Sequence, residues 1–225
     1  MAVIDRAKNL LLQPTREWAA IDAERTTPEQ LFAGYVLILA AIGPMASLIG
    51  MSVFGIELPF VGRIRTPLLS GLGTAVITYA LNLILVFVLS RVIDRLAPTF
   101  GGRRDSRQAL KLAAYGCTAA WIGGVFSLIP ALSALGILAA CYSLYLLYVG
   151  LPVLMKNTPT RTRGYLVAVV LVNLVIMIPI VGVLTFLNSA MYGSSSISAD
   201  PAATEAMNQL ESFAKGLEEA GKKAK

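Results

Sequence analysis

Within the long apolar runs of this chain the groups able to do chemistry are amides and hydroxyls. Asn82, Asn173, Tyr115, Tyr142 and Tyr145 are the chief ones, with Thr74 and Thr78 on one face of a run. In a membrane, such groups either hydrogen-bond from helix to helix, for about 0.6 kcal/mol on average, or line a polar seam for a headgroup or small solute. Ion-coupled carriers need ionisable groups inside the spans to take up and release charge, and the interiors of these runs have none. The nearest carboxylate, Asp94, stands at the end of a run beside Arg91 and Arg95, where a surface ion pair is expected.

Other centres are excluded by composition and spacing. The chain has no histidine, and Cys117 and Cys141 fall in two different runs without a CxxC or Cys/His cluster. Zinc and redox centres are therefore not expected, and both cysteines read as small apolar packing residues. No nucleophile–base pair, phosphate-binding glycine loop or pair of catalytic carboxylates is present, so a protein that is not an enzyme and takes no cofactor is expected. The net charge of +6 comes from residues at the edges of the apolar runs rather than from a basic face interleaved with aromatics. That placement points to a membrane and not to nucleic acid.

The elements that must carry these groups are legible in the hydropathy. Of 225 residues 56% are hydrophobic and 14% charged, with mean hydropathy +0.70, where soluble domains carry about a quarter charged residues. The expected fold is all-α, a polytopic helix bundle with five transmembrane helices at about 28–53, 67–93, 108–128, 130–155 and 164–191. Each is long enough to cross hydrocarbon about 30 Å thick. Thr27-Pro28-Glu29-Gln30 combines a capping threonine, proline at the first helical position and glutamine at the third, a helix start, and Thr66-Pro67 repeats the signal. Pro44 is expected to bend the first span and Pro179 to interrupt the hydrogen bonds of the fifth.

A tight turn between the third and fourth spans predicts a helical hairpin. Gly116, Ala120 and Gly124 recur every fourth residue in one, Gly136 and Ala140 in the other. Small residues at that spacing let two backbones approach closely. Tyr142 falls near mid-membrane, so its hydroxyl needs a partner within the bundle.

Outside the spans, residues 1–27 form an N-terminal segment in which Val3, Ile4, Ala7, Leu10 and Leu11 oppose Asp5, Arg6, Lys8 and Asn9. That pattern suits a helix on the membrane surface or packed on a partner, with Trp18 as a headgroup-level anchor. Residues 55–66 read as a half-buried interfacial segment. Residues 192–225 combine a Gly-Ser-Ser-Ser linker with an amphipathic tail capped by Asp200-Pro201.

Orientation follows from Lys and Arg placement. Four basic residues precede the first span, six lie between Arg91 and Lys111, and Lys156, Arg161 and Arg163 fill the fourth loop. These belong on one side, so the rule that basic loops stay inside gives N-in, C-out. Arg103, Arg104, Arg107 and Lys111 would attract anionic headgroups at about 1 kcal/mol per charge.

The whole pattern resembles the Yip family, named for interaction with Ypt/Rab-type small GTPases, and its bacterial relatives. The likeness rests on Pro14-Thr15-Arg16-Glu17-Trp18 with Ile21 and Glu24, Ala109-Leu110-Lys111-Leu112-Ala113-Ala114-Tyr115, Leu128-Ile129-Pro130, and Tyr142-Ser143-Leu144-Tyr145-Leu146-Leu147-Tyr148 followed by Gly150-Leu151-Pro152. The resemblance implies five spans with a cytoplasmic N-terminus, and in eukaryotic members partnership with small GTPases and vesicle traffic. Here the long cytoplasmic N-terminal region of those members is replaced by residues 1–27. Where members often place proline after the Tyr115 region, Thr118-Ala119-Ala120 stands here, which favours a straighter third span.

The expectation is thus a multi-pass protein of the bacterial inner membrane with its C-terminus periplasmic or extracellular. It would organise or shape the bilayer and scaffold partners, namely membrane lipids and other membrane proteins or copies of itself. The alternative is a lipid scramblase or small-solute permease using the seam of Asn82, Asn173 and the tyrosines near broken helices. A subunit of a larger complex with no activity of its own fits equally well.

Overall fold

The computed structural model describes residues 3–58, 62–64 and 68–192. The expected linker and tail over 193–225 and the start signal at Thr66-Pro67 lie outside them. Two short helices come first, α1 (Val3–Leu12) and α2 (Pro14–Ala23). Five helices long and apolar enough to cross a membrane follow: Pro28–Phe54, Gly71–Phe100, Ser106–Leu128, Leu135–Leu154 and Pro159–Pro179. They are called here the first to fifth spans. Among the described residues the one non-helical element is an antiparallel ribbon, β1 (Ile56–Leu58) with β2 (Gly62–Ile64), which pairs Glu57 with Arg63 where an interfacial segment was expected.

Local chemistry explains the ends. Thr27 Oγ1 accepts from Gln30 N at 3.3 Å and Gln30 Oε1 from Thr27 N at 3.2 Å, a reciprocal capping box. Asp105 Oδ1 accepts from the amides of Arg107 and Gln108 and starts the third span. The fourth span begins at Leu135 rather than at Pro130. Pro130 has no N–H, and the chain crosses from Ile129 to Leu135 on three-residue hydrogen bonds such as Ser133 N to Pro130 O. The fifth helix continues through Pro179 to Tyr192.

The third span is interrupted at Cys117 instead of running straighter. Its cause is Thr118, whose Oγ1 donates to Tyr115 O at 2.6 Å, and hydroxyls that bond back to the preceding turn bend helices.

The core collects where α1, α2 and the spans meet: Leu10, Trp18, Ile21, Val36, Ile93, Leu112, Leu146 and Tyr165 are all fully buried. The outer faces are apolar too, with Ile137, Leu138, Val175 and Ile178 each about two-thirds exposed. An outer surface of that kind is matched by lipid and not by water.

Candidate functional site

The most heavily built part of the molecule is the seat of the two N-terminal helices. Pro14 cannot donate a backbone bond and sits at the first position of α2, so the chain turns at Gln13 and folds back. Arg6 of α1 therefore reaches both Glu17, at 2.6 Å, and Glu24. The far ends are held separately. Tyr142 OH donates to Leu11 O at 2.7 Å, while Lys111 Nζ donates to Ile21 O at 3.0 Å and Glu24 O at 2.5 Å. Asp22 accepts from Gln108 Nε2 at 3.1 Å and from Lys156 Nζ at 2.6 Å. The turn between α1 and α2 thus points along the bundle: Tyr142 lies twelve residues, about 18 Å, from the Leu154 end of its helix.

Between these ends lies a buried set of charges and rings. Arg6 and Glu17 are each 6% exposed. The Arg6 guanidinium stands 5.8 Å from the centre of the Tyr115 ring, which packs edge-on against Trp18 at 6.4 Å and Tyr35 at 4.7 Å. Burial alone would lower the Arg6 pKa, but the hydrogen bond to Glu24 and the negative charges around it outweigh burial and hold it above its ordinary value. Tyr35 OH lies 2.8 Å from Thr118 Oγ1. Because Thr118 gives its one proton to Tyr115 O, the tyrosine is the donor in that pair.

A second polar feature is a cleft of about 340 Å³ between the first span, the second and Ser127 of the third. Its origin is the break in the first span. Pro44 has no N–H, so Ala40 O loses its helical donor. The second span supplies side-chain donors at this break: Asn82 Nδ2 to Ala40 O at a long 3.5 Å and Tyr79 OH to Leu37 O at 3.0 Å. Ser47, Thr74, Thr78 and Ser127 line the same cleft.

The seam residues do not come together. Asn82 lines the cleft, Asn173 Oδ1 is buried in the fifth span without a hydrogen-bond partner among the described residues, and Tyr142 holds Leu11. Tyr115 belongs to the Arg6 set, and Tyr145 is 47% exposed against the Tyr142 ring. Tyr115 and Tyr142 hold the N-terminal helices, and Tyr145 packs on Tyr142.

Trp18 is not an anchor at headgroup level. It is fully buried, packed over Gly150 where no side chain stands in the way. Lys111 is likewise turned inward, 5% exposed and bonded to α2, unlike the exposed Arg103, Arg104 and Arg107. Asp94 is 5% exposed and pairs with Arg104 at 3.3 Å, while Arg91 lies over the Phe87 ring.

The small-residue stripe divides. A Cβ on Gly116 would stand 2.4 Å from Leu147 of the fourth span, and Ala120 N donates to Ser143 Oγ at 2.8 Å, so these two do mark a close approach. Gly124 instead faces Gly43 of the first span, whose Cα would lie 2.7 Å from an added Cβ. An added Cβ on Gly136 would enter open space, though its Cα lies 4.0 Å from where a Cβ on Gly123 of the third span would stand, and Ala140 is exposed. Gly123 itself makes a tighter contact, since its Cβ would meet Ala139 at 2.2 Å.

Sequence reasoning carried Gly150, Glu17 and Glu24 only as residues of the resemblance, and it did not single out Gly123, Tyr35 or the pairing of Arg6 with Glu17 and Glu24. One signal was available: Arg6, Glu17 and Glu24 are opposite charges on two short helices joined by Gln13-Pro14, a spacing that a fold-back brings together.

These features define a membrane-spanning helical bundle with a docked N-terminal helix pair. Residues 8–184 match the Yip1 domain, and the chain belongs to that family. It is 28% identical over 181 residues to inner membrane protein YohC of Escherichia coli strain K12, covering 75% of this chain and 93% of that protein. The YohC of Escherichia coli O6:H1 strain CFT073 gives the same figures. No solved structure matches.

Proposed function

We propose that this chain is a non-enzymatic protein of the bacterial inner membrane that organises or shapes the bilayer and scaffolds membrane partners. Its N-terminus is cytoplasmic and its C-terminus lies on the far side. The relatives named as inner membrane proteins support the location, and the basic loops support the orientation. The observation that carries the activity is the seat of α1 and α2. They add two helices beside the bundle over about 18 Å from the Leu154 end of the fourth span, to the level of Tyr142. On this reading the helix pair broadens one half of the molecule, and a wedge of that form favours curved bilayer. The polar-seam alternative has less support, because its residues occupy separate surroundings.

The test is to reconstitute the full chain into vesicles at rising protein-to-lipid ratio and image their diameters. The intact protein should narrow the distribution toward small vesicles. A Leu10→Ala, Trp18→Ala variant, which loosens both helices, should narrow it less. Equal diameters for the two proteins at every ratio would sink the wedge.

A further inference from the structure

The face of α1 turned away from Arg6 forms one wall of a groove of about 660 Å³, completed by the first span and by Ile122 of the third. Ile4, Leu11, Ile38 and Ile42 are among its apolar lining, and Lys8 is its one charged group. Arg6 and Lys8 lie about 200° apart around the helix. The first is paired twice, whereas Lys8 is exposed and makes no ion pair among the described residues.

We propose that this groove holds one acyl chain of an anionic phospholipid, with the phosphate of the same molecule on Lys8. The inference deepens the bilayer-organising reading and rests on its placement of the five spans in lipid.

Three observations select the occupant. Apart from Lys8, no hydrogen-bonding side chain lines the groove to orient a polar ligand, so the part that enters must be hydrocarbon. Ile38 is 53% exposed and Ile4 78% exposed, which opens the groove on an apolar face that lipid reaches directly. A helix about 10 Å across would fill the volume in under two turns, so a partner helix is a poor fit while a flexible chain is a good one. The unpaired ammonium then sets the headgroup, since a cation close to hydrocarbon is stabilised by an anion at the mouth.

The experiment is native mass spectrometry of the full chain in detergent, titrated with phosphatidylglycerol or with phosphatidylethanolamine of the same acyl chains. One phosphatidylglycerol per chain should be retained in preference to phosphatidylethanolamine. Lys8→Gln should weaken phosphatidylglycerol retention roughly fivefold, and Ile38→Trp, which narrows the groove from its exposed side, should remove retention of both lipids. Equal retention of the two lipids by the unmodified chain, or phosphatidylglycerol retention untouched by Lys8→Gln, would overturn the proposal. So would a second protein chain lost on Ile38→Trp, which would make the groove a protein interface. Vesicle diameters are read separately, so a lipid site that fails leaves the wedge standing or falling on its own result.

Discussion

The indole of Trp18 lies so close to the bare backbone of Gly150 that a Cβ there would stand 2.7 Å from Trp18 Cε2 and 2.6 Å from Leu112 Cδ1. The α1–α2 pair is seated on the bundle through this contact, which makes the absence of a side chain at residue 150 a condition for docking.

Gly150→Leu should therefore lift α2 from its seat, at a cost of about 1–3 kcal/mol from overpacking. Limited trypsin digestion of the full chain in detergent is the readout. Cleavage after Arg16, held in α2 in the unmodified protein, should accelerate in the variant. Unchanged digestion would mean that the fourth span moves instead and the seat survives.

Arg6→Met should destabilise strongly, by about 3–5 kcal/mol, because it leaves the buried Glu17 carboxylate without its partner, and Glu17→Met should cost less because Arg6 keeps Glu24. Both side chains are 7% exposed, so water offers little compensation. The double replacement should recover much of the loss. If thermal unfolding shows the two effects simply adding, the pair is not coupled.

Around Tyr35 the order of two effects is diagnostic. Tyr35→Phe removes a donor from Thr118 Oγ1, which keeps its own bond to Tyr115 O, so a loss of about 1 kcal/mol is expected. Thr118→Val strands a buried tyrosine hydroxyl and should cost more, up to about 3 kcal/mol. The reverse order would show that Thr118, not Tyr35, is the donor.

Asn82→Leu should cost about 1–3 kcal/mol by leaving Ala40 O without a donor. Pro44→Ala restores a backbone N–H in register with that carbonyl. In the Pro44→Ala background, Asn82→Leu should then be nearly neutral. A full-sized penalty there would give Asn82 a role in the cleft beyond patching the helix break.

The five spans and the capping box at Thr27 could be read from sequence because each depends on local facts. A long apolar run fixes crossing length, and a Thr-Pro-Glu-Gln tetrad completes its hydrogen bonds within itself. The need of Tyr142 for a partner within the molecule was legible for the same reason, since depth along a helix follows from residue number.

What the tertiary structure decided is which partner each side chain meets. Arg6 and Lys111 count as topology signals in the sequence, yet both are inside, because a fold-back at Gln13-Pro14 places carboxylates and carbonyls around them. Nothing local says that Trp18 will lie over Gly150, and Gly123, outside the four-residue repeat, meets Ala139 more tightly than Gly136. Helix periodicity assigns a residue to a face. It does not say what covers that face, because that is set by the path of residues more than a hundred positions away, as between Leu11 and Tyr142.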